Sequence, residues 1–121
     1  MDPYQASKKT EEICRLAPVI PVLVVHNPDI AKPLAEALIS GGLPVLEVTL
    51  RTESALDVIS EMAKIPGGVV GAGTITKAKD VKDAINAGAN FAVSPGLSDN
   101  ILEASEQQNL PIFPGVATST V

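Results

Sequence analysis

Aromatic residues are nearly missing from this sequence: Trp is absent, and Tyr4, Phe91 and Phe113 make up 2% of its 121 residues. That excludes a stacking platform for single-stranded nucleic acid and an aromatic belt at a membrane surface. One cysteine, Cys14, cannot close an internal disulfide, which fits a reducing compartment. With a single histidine, His26, no Cys/His cluster has metal-ligand spacing, so no metal site is expected. Basic residues are scarce as well. Nine Lys and Arg face 14 Asp and Glu, and the net charge of -5 opposes nucleic acid or an anionic membrane as partner. No apolar run approaches the roughly 20 residues of a membrane span. The start, Met1-Asp2-Pro3-Tyr4-Gln5, lacks the basic-then-apolar pattern of a secretory signal, so the expected location is the cytoplasm.

What is present is the material of a packed core, 45% hydrophobic residues against 19% charged, in a length suited to one domain, residues 1–121. Five short apolar runs, 19–25, 45–50, 69–75, 91–95 and 111–116, are bounded by Gly, Pro, Asn, Ser or Thr and predict buried strands. Between them Ile30, Leu34, Ala37 and Leu38, or Leu56, Ile59 and Met62, recur at helical spacing. Asn27, Thr52, Thr76 and Ser98 are placed to cap helices, and Gly41-Gly42, Gly67-Gly68 and Gly88 to end them. A lead-in helix is expected over 5–17, with Cys14 packed on it.

Strand starts every 20 to 26 residues or so are the period of βα units, which requires parallel strands and right-handed crossovers. The class is α/β, about four and a half βα units over 19–121. Two architectures fit: a doubly wound five-stranded sheet, which the length favours, and part of a (β/α)8 TIM barrel, favoured because no helix follows the fifth strand.

In Val45-Leu46-Glu47-Val48-Thr49-Leu50-Arg51 the period of two places Val45, Glu47, Thr49 and Arg51 on one face. Glu47 is the one acid inside a strand run, and an ionised buried carboxylate is costly unless partnered. It either forms a structural pair with Arg51 or, in a barrel, offers a base beside a hydroxyl and an anion clamp. Val70-Gly71-Ala72-Gly73-Thr74 fails the dinucleotide fingerprint, because Thr76 stands at the sixth position. Glycines inside a strand suggest close approach of a neighbour or a ligand, with Thr74 a ligand contact or a turn residue. Ser94-Pro95-Gly96 and Phe113-Pro114-Gly115 shape loops or line a site. His26 reads as a surface or capping residue. All seven lysines fall on helical segments or their edges.

Val45-Leu46-Glu47-Val48-Thr49-Leu50-Arg51-Thr52, Val70-Gly71-Ala72-Gly73-Thr74, Ser94-Pro95-Gly96-Leu97 and Pro114-Gly115-Val116-Ala117-Thr118, in this order and spacing, resemble the 2-keto-3-deoxy-6-phosphogluconate (KDPG) and 4-hydroxy-2-oxoglutarate (KHG) aldolase family. The resemblance implies the N-terminal portion of a TIM barrel, commonly a homotrimer. The implied chemistry is class I, a metal-free and cofactor-free cleavage of a phosphorylated keto acid to pyruvate and an aldehyde. It assigns Glu47 to proton transfer, Arg51 and Thr74 to the pyruvyl carboxylate and Pro95 to the mouth of the site. The family's Schiff-base lysine lies on the sixth strand, so residues 1–121 are not expected to contain it. A non-catalytic half-barrel and a doubly wound ligand-binding or signalling domain are the alternatives.

Overall fold

A computed structural model describes residues 1–120. The first element is α1 (Pro3–Cys14). Asp2 accepts from the Gln5 backbone N–H at 2.8 Å while Gln5 Oε1 accepts from the Asp2 N–H at 3.3 Å, a reciprocal cap followed by Pro at the first helical position. That cap starts the helix two residues before the expected 5–17 span, and it ends earlier too. Cys14 is exposed, not packed.

Four βα repeats and a fifth strand follow in strict alternation: β1 (Val22–Leu23), α2 (Ala31–Ser40), β2 (Val45–Thr49), α3 (Ala55–Ala63), β3 (Val69–Gly73), α4 (Ala78–Ala87), β4 (Phe91–Ser94), α5 (Asp99–Gln107) and β5 (Ile112–Pro114). Every strand pair is parallel, and the spatial order is β1-β2-β3-β4-β5. This sequential order is the winding of a TIM barrel. A doubly wound sheet reverses direction part-way, and no reversal occurs here. The strands are shorter than the apolar runs that announced them. Pro18 and Pro21 flank the start of β1, which has a partner on one side only. β3 stops where Thr74 turns left-handed, at φ 62°.

Two of the four expected caps hold: Asn27 accepts from the Asp29 N–H at 3.0 Å and Ser98 from the Ile101 N–H at 3.3 Å. The other two do different work. The Thr52 hydroxyl donates to the Val25 carbonyl at 3.1 Å, tying the β2 exit to the end of β1, and Thr76 donates its N–H and hydroxyl to Asp80. Among the expected glycine exits, Gly42, Gly67 and Gly88 have positive φ.

The period of two sorts the strand residues cleanly. Leu46, Val48, Val70, Ala72 and Ala92 share one buried cluster with Val58, Ile59, Met62, Val81 and Ala84 of the helices. The opposite face, here the inner face, carries two rows set by the strand register: Val22, Glu47, Gly71 and Phe91, then Thr49 and Gly73 with Val93 and Phe113. The rings of Phe91 and Phe113 meet edge to face at 5.5 Å. At the β1 edge the inner face is open, with Val22 62% exposed and Val24 49% exposed.

Candidate active site at the strand ends

Glu47 sits third in β2, a strand buried throughout, and retains only 9% of its exposure. Its register partners are Val22 on β1 and Gly71 on β3. The carboxylate leans one pleat further along β3, over Gly73, where a Cβ would collide with Glu47 Oε1. Burial raises the Glu47 pKa above its ordinary 4.5, and the positive charge of Arg51 pulls it part of the way back.

The structural pair with Arg51 does not form. Among the described residues the ion pairs are Arg15–Glu11, Lys32–Glu36, Lys64–Glu61 and Lys79–Asp83, all within helices or at their ends. Exposed pairs of that kind contribute little to stability. Arg51 itself is exposed just beyond β2, so it acts on Glu47 through space while its guanidinium remains available to an anion.

Thr74 and Pro95 occupy the corresponding places just after β3 and β4. Arg51, Thr74 and Pro95 thus gather at the C-terminal ends of three consecutive strands, the end where TIM barrels assemble their sites. A β-branched residue with φ 62° is a backbone outlier. Such strain costs on the order of 1 kcal/mol or more and is kept where the surroundings demand it. Thr74→Gly should therefore leave the melting temperature unchanged or raise it, even though glycine ordinarily weakens a structured segment. A thermal melt of this variant checks the expectation; a clear fall would show that the Thr74 side chain is structural.

The loop bearing Pro95 is held at both ends. The Ser94 hydroxyl donates to the Gly96 carbonyl at 2.7 Å, and the Ser94 carbonyl accepts from the Gly115 N–H at 2.8 Å. A Cβ at Gly115 would run into the Pro95 carbonyl, which accounts for the second Pro-Gly pair as a close backbone approach. Thr49, on the same polar face as Glu47, spends its hydroxyl on the Leu23 carbonyl at 3.2 Å and is 2% exposed. Its role is to join β1 to β2. His26 is exposed beyond β1, as the sequence suggested.

A family model for KDPG and KHG aldolase matches residues 10–121. The chain belongs to the KDPG and KHG aldolase family. Within it, the chain is 50% identical over 109 residues to the 2-dehydro-3-deoxy-phosphogluconate aldolase of Zymomonas mobilis, covering 90% of this chain and 52% of that one. It is 46% identical over 109 residues to the KHG/KDPG aldolase of Escherichia coli, covering 89% and 51%. The chain therefore spans about half the length of the curated family members it matches. In three dimensions it superposes on the crystal structure of the Zymomonas mobilis aldolase with a TM-score of 0.86 at 50% identity, over 91% of this chain and 53% of the other. It superposes equally plainly on a KDPG aldolase from Legionella pneumophila holding pyruvate captured as a covalent carbinolamine, with a TM-score of 0.83 at 41% identity, over 89% and 53%. The fold is thus a partial TIM barrel of this family.

Proposed function

We propose that these residues form the proton-transfer side of a class I aldolase that cleaves 2-keto-3-deoxy-6-phosphogluconate or 4-hydroxy-2-oxoglutarate to pyruvate and an aldehyde. The observation that carries this reading is the Glu47 carboxylate, buried on the inner face without an ion-pair partner, at the end of the sheet where Arg51, Thr74 and Pro95 gather. A lysine amine condenses with the 2-keto group and loses water to give a protonated imine, which accepts the electron pair of the C3–C4 bond as that bond breaks. Glu47 takes the C4 hydroxyl proton as the aldehyde leaves and returns a proton to the resulting enamine carbon. Burial, by raising the carboxyl pKa, brings its affinity for a proton nearer to neutrality, which suits a group that must both accept and donate. Arg51 holds the pyruvyl carboxylate, Thr74 adds a hydrogen bond to it, and Pro95 lines the mouth. No cofactor is needed in this scheme. Family resemblance further supports a homotrimer and a cytoplasmic location.

The nucleophile is assigned to the sixth strand of the family barrel, beyond these residues. All seven lysines within 1–121 are exposed, and none stands in a strand. Lys79 is held protonated by its hydrogen bond to Asp83, the opposite of what a nucleophilic amine requires. Borohydride reduction in the presence of pyruvate should accordingly leave the mass of residues 1–121 unchanged. The complete barrel, extended through the second half that the relatives have, should gain one reduced pyruvyl adduct on a lysine outside this range. A specific adduct on Lys8, Lys9, Lys32, Lys64, Lys77, Lys79 or Lys82 would overturn the assignment, and a complete barrel that never forms an adduct would overturn the class I reading.

A further inference from the structure

We propose that Gly73 is a positioning residue for Glu47: by lacking a side chain it provides the seat on β3 in which the Glu47 carboxylate lies. Its catalytic consequence rests on Glu47 as the proton-transfer group, while the seat itself rests on geometry. A Cβ built at Gly73 has three nearest neighbours, and all belong to Glu47: it collides with Oε1, and Cδ and Cγ follow at 2.9 and 3.1 Å. Nothing else approaches as closely. Gly73 is also not among the glycines with positive φ, which are Gly42, Gly67 and Gly88. Its backbone is ordinary strand and would accept alanine, so the demand for glycine here is one of space.

The register explains why one missing Cβ matters. Glu47 is aligned with Gly71, and the carboxylate extends over the next inner-face position of β3, which is Gly73. The strands on either side offer that carboxylate no titratable group, since β1 presents Val22 and β3 presents Val69, Gly71 and Gly73. Arg51, further along β2, is the charge that acts on it. The carboxylate is therefore held by shape and not by an ionic partner. A methyl group at position 73 would meet the mobile end of a side chain and would displace it without moving either strand.

The test uses the complete barrel. Gly73→Ala should fold, keep KM within about twofold and lower kcat by about 10²-fold, the cost of a displacement near 1 Å in a positioned group. The titration midpoint of the Glu47 carboxyl, followed by carbon NMR and assigned from its disappearance in Glu47→Gln, should fall toward the ordinary glutamate value as the group leaves its desolvated seat. Adding Gly73→Ala to Glu47→Gln should cost no further kcat. An unmoved midpoint, or the same fractional loss of kcat with and without the Glu47 carboxylate, would overturn the proposal. If Gly73→Ala does not fold, Glu47→Ala in the same chain must restore folding, and failure of the pair to fold also overturns it. If Glu47→Gln keeps normal kcat while Gly73→Ala still lowers the midpoint, the seat stands and the proton-transfer role of Glu47 falls.

Discussion

Glu47→Gln in the complete barrel should slow aldol cleavage by about 10²- to 10⁴-fold, the usual cost of removing a positioned acid–base group. Gln keeps the size of the side chain and its place over Gly73, but it cannot take a proton. Schiff-base trapping with pyruvate should still reach completion, more slowly, because carbinolamine dehydration also moves protons. Stability separates this outcome from a structural role. Breaking a buried ion pair leaves an uncompensated charge and costs several kcal/mol, yet here no such pair exists, and Arg51 is already in solvent. The variant should not melt lower than the parent.

Its pH dependence has a definite sign. The folded-state pKa of Glu47 is raised above 4.5 by burial, so the folded chain binds this proton more tightly than the unfolded one. The stability contributed by that proton is fully present below the unfolded value and is lost as pH rises through the raised folded value. Gln suffers no such loss. The melting temperature of Glu47→Gln relative to the parent should climb across that window and level off above it. A variant that melts lower at neutral pH and turns over normally would make Glu47 a structural residue.

The parallel strands, the βα period and the polar face of β2 were legible because each rests on a local pattern: a period of two in 45–51, helical spacing in between, and turn residues at the joints. The choice between a barrel and a doubly wound sheet did not follow from those patterns, since strand order is decided by which edges pair and βα units of the same length serve both; the four motifs shared with the aldolase family pointed to the barrel, and the sequential strand order bears that out. Thr52 and Thr76 look like caps in sequence, but the Val25 carbonyl, brought close by the fold, claims the hydroxyl of Thr52, and the Asp80 carboxylate in the first turn of α4 claims that of Thr76. Glu47 stood out as the one acid inside a strand, whereas its relation to Arg51 required the structure, because residues four apart in a strand share a face without being in contact. The roles of Gly71 and Gly73 were half visible. Their spacing of two places both on one face of β3, but only the structure identifies Phe91, the register partner of Gly71, and the Glu47 carboxylate, leaning one pleat past its own register partner, as the groups that come so close.

Gly71 shows what the same substitution does when the neighbour cannot move, and Gly71→Ala should destabilise the fold by about 1–3 kcal/mol. A Cβ there would overlap three atoms of the Phe91 ring, on the inner-face row that Glu47 shares. Phe91 is fully buried and braced edge to face by Phe113, so its ring cannot swing out into solvent as an exposed side chain could. Removing the ring instead, by Phe91→Ala, should cost about 3–5 kcal/mol, since it empties the space over Gly71. The two changes meet at one contact and therefore should not add: in the Phe91→Ala background the methyl group of Gly71→Ala enters the vacated volume, and its cost should vanish or turn into a small gain. Denaturant unfolding of the two single variants and the double variant measures this directly. Additive losses would show that Gly71 is needed for its backbone and not for the room it leaves to Phe91. The contrast with Gly73 is then a matter of mechanics: on one strand, two residues apart, a methyl group against a braced ring costs stability, and a methyl group against a free carboxylate costs turnover.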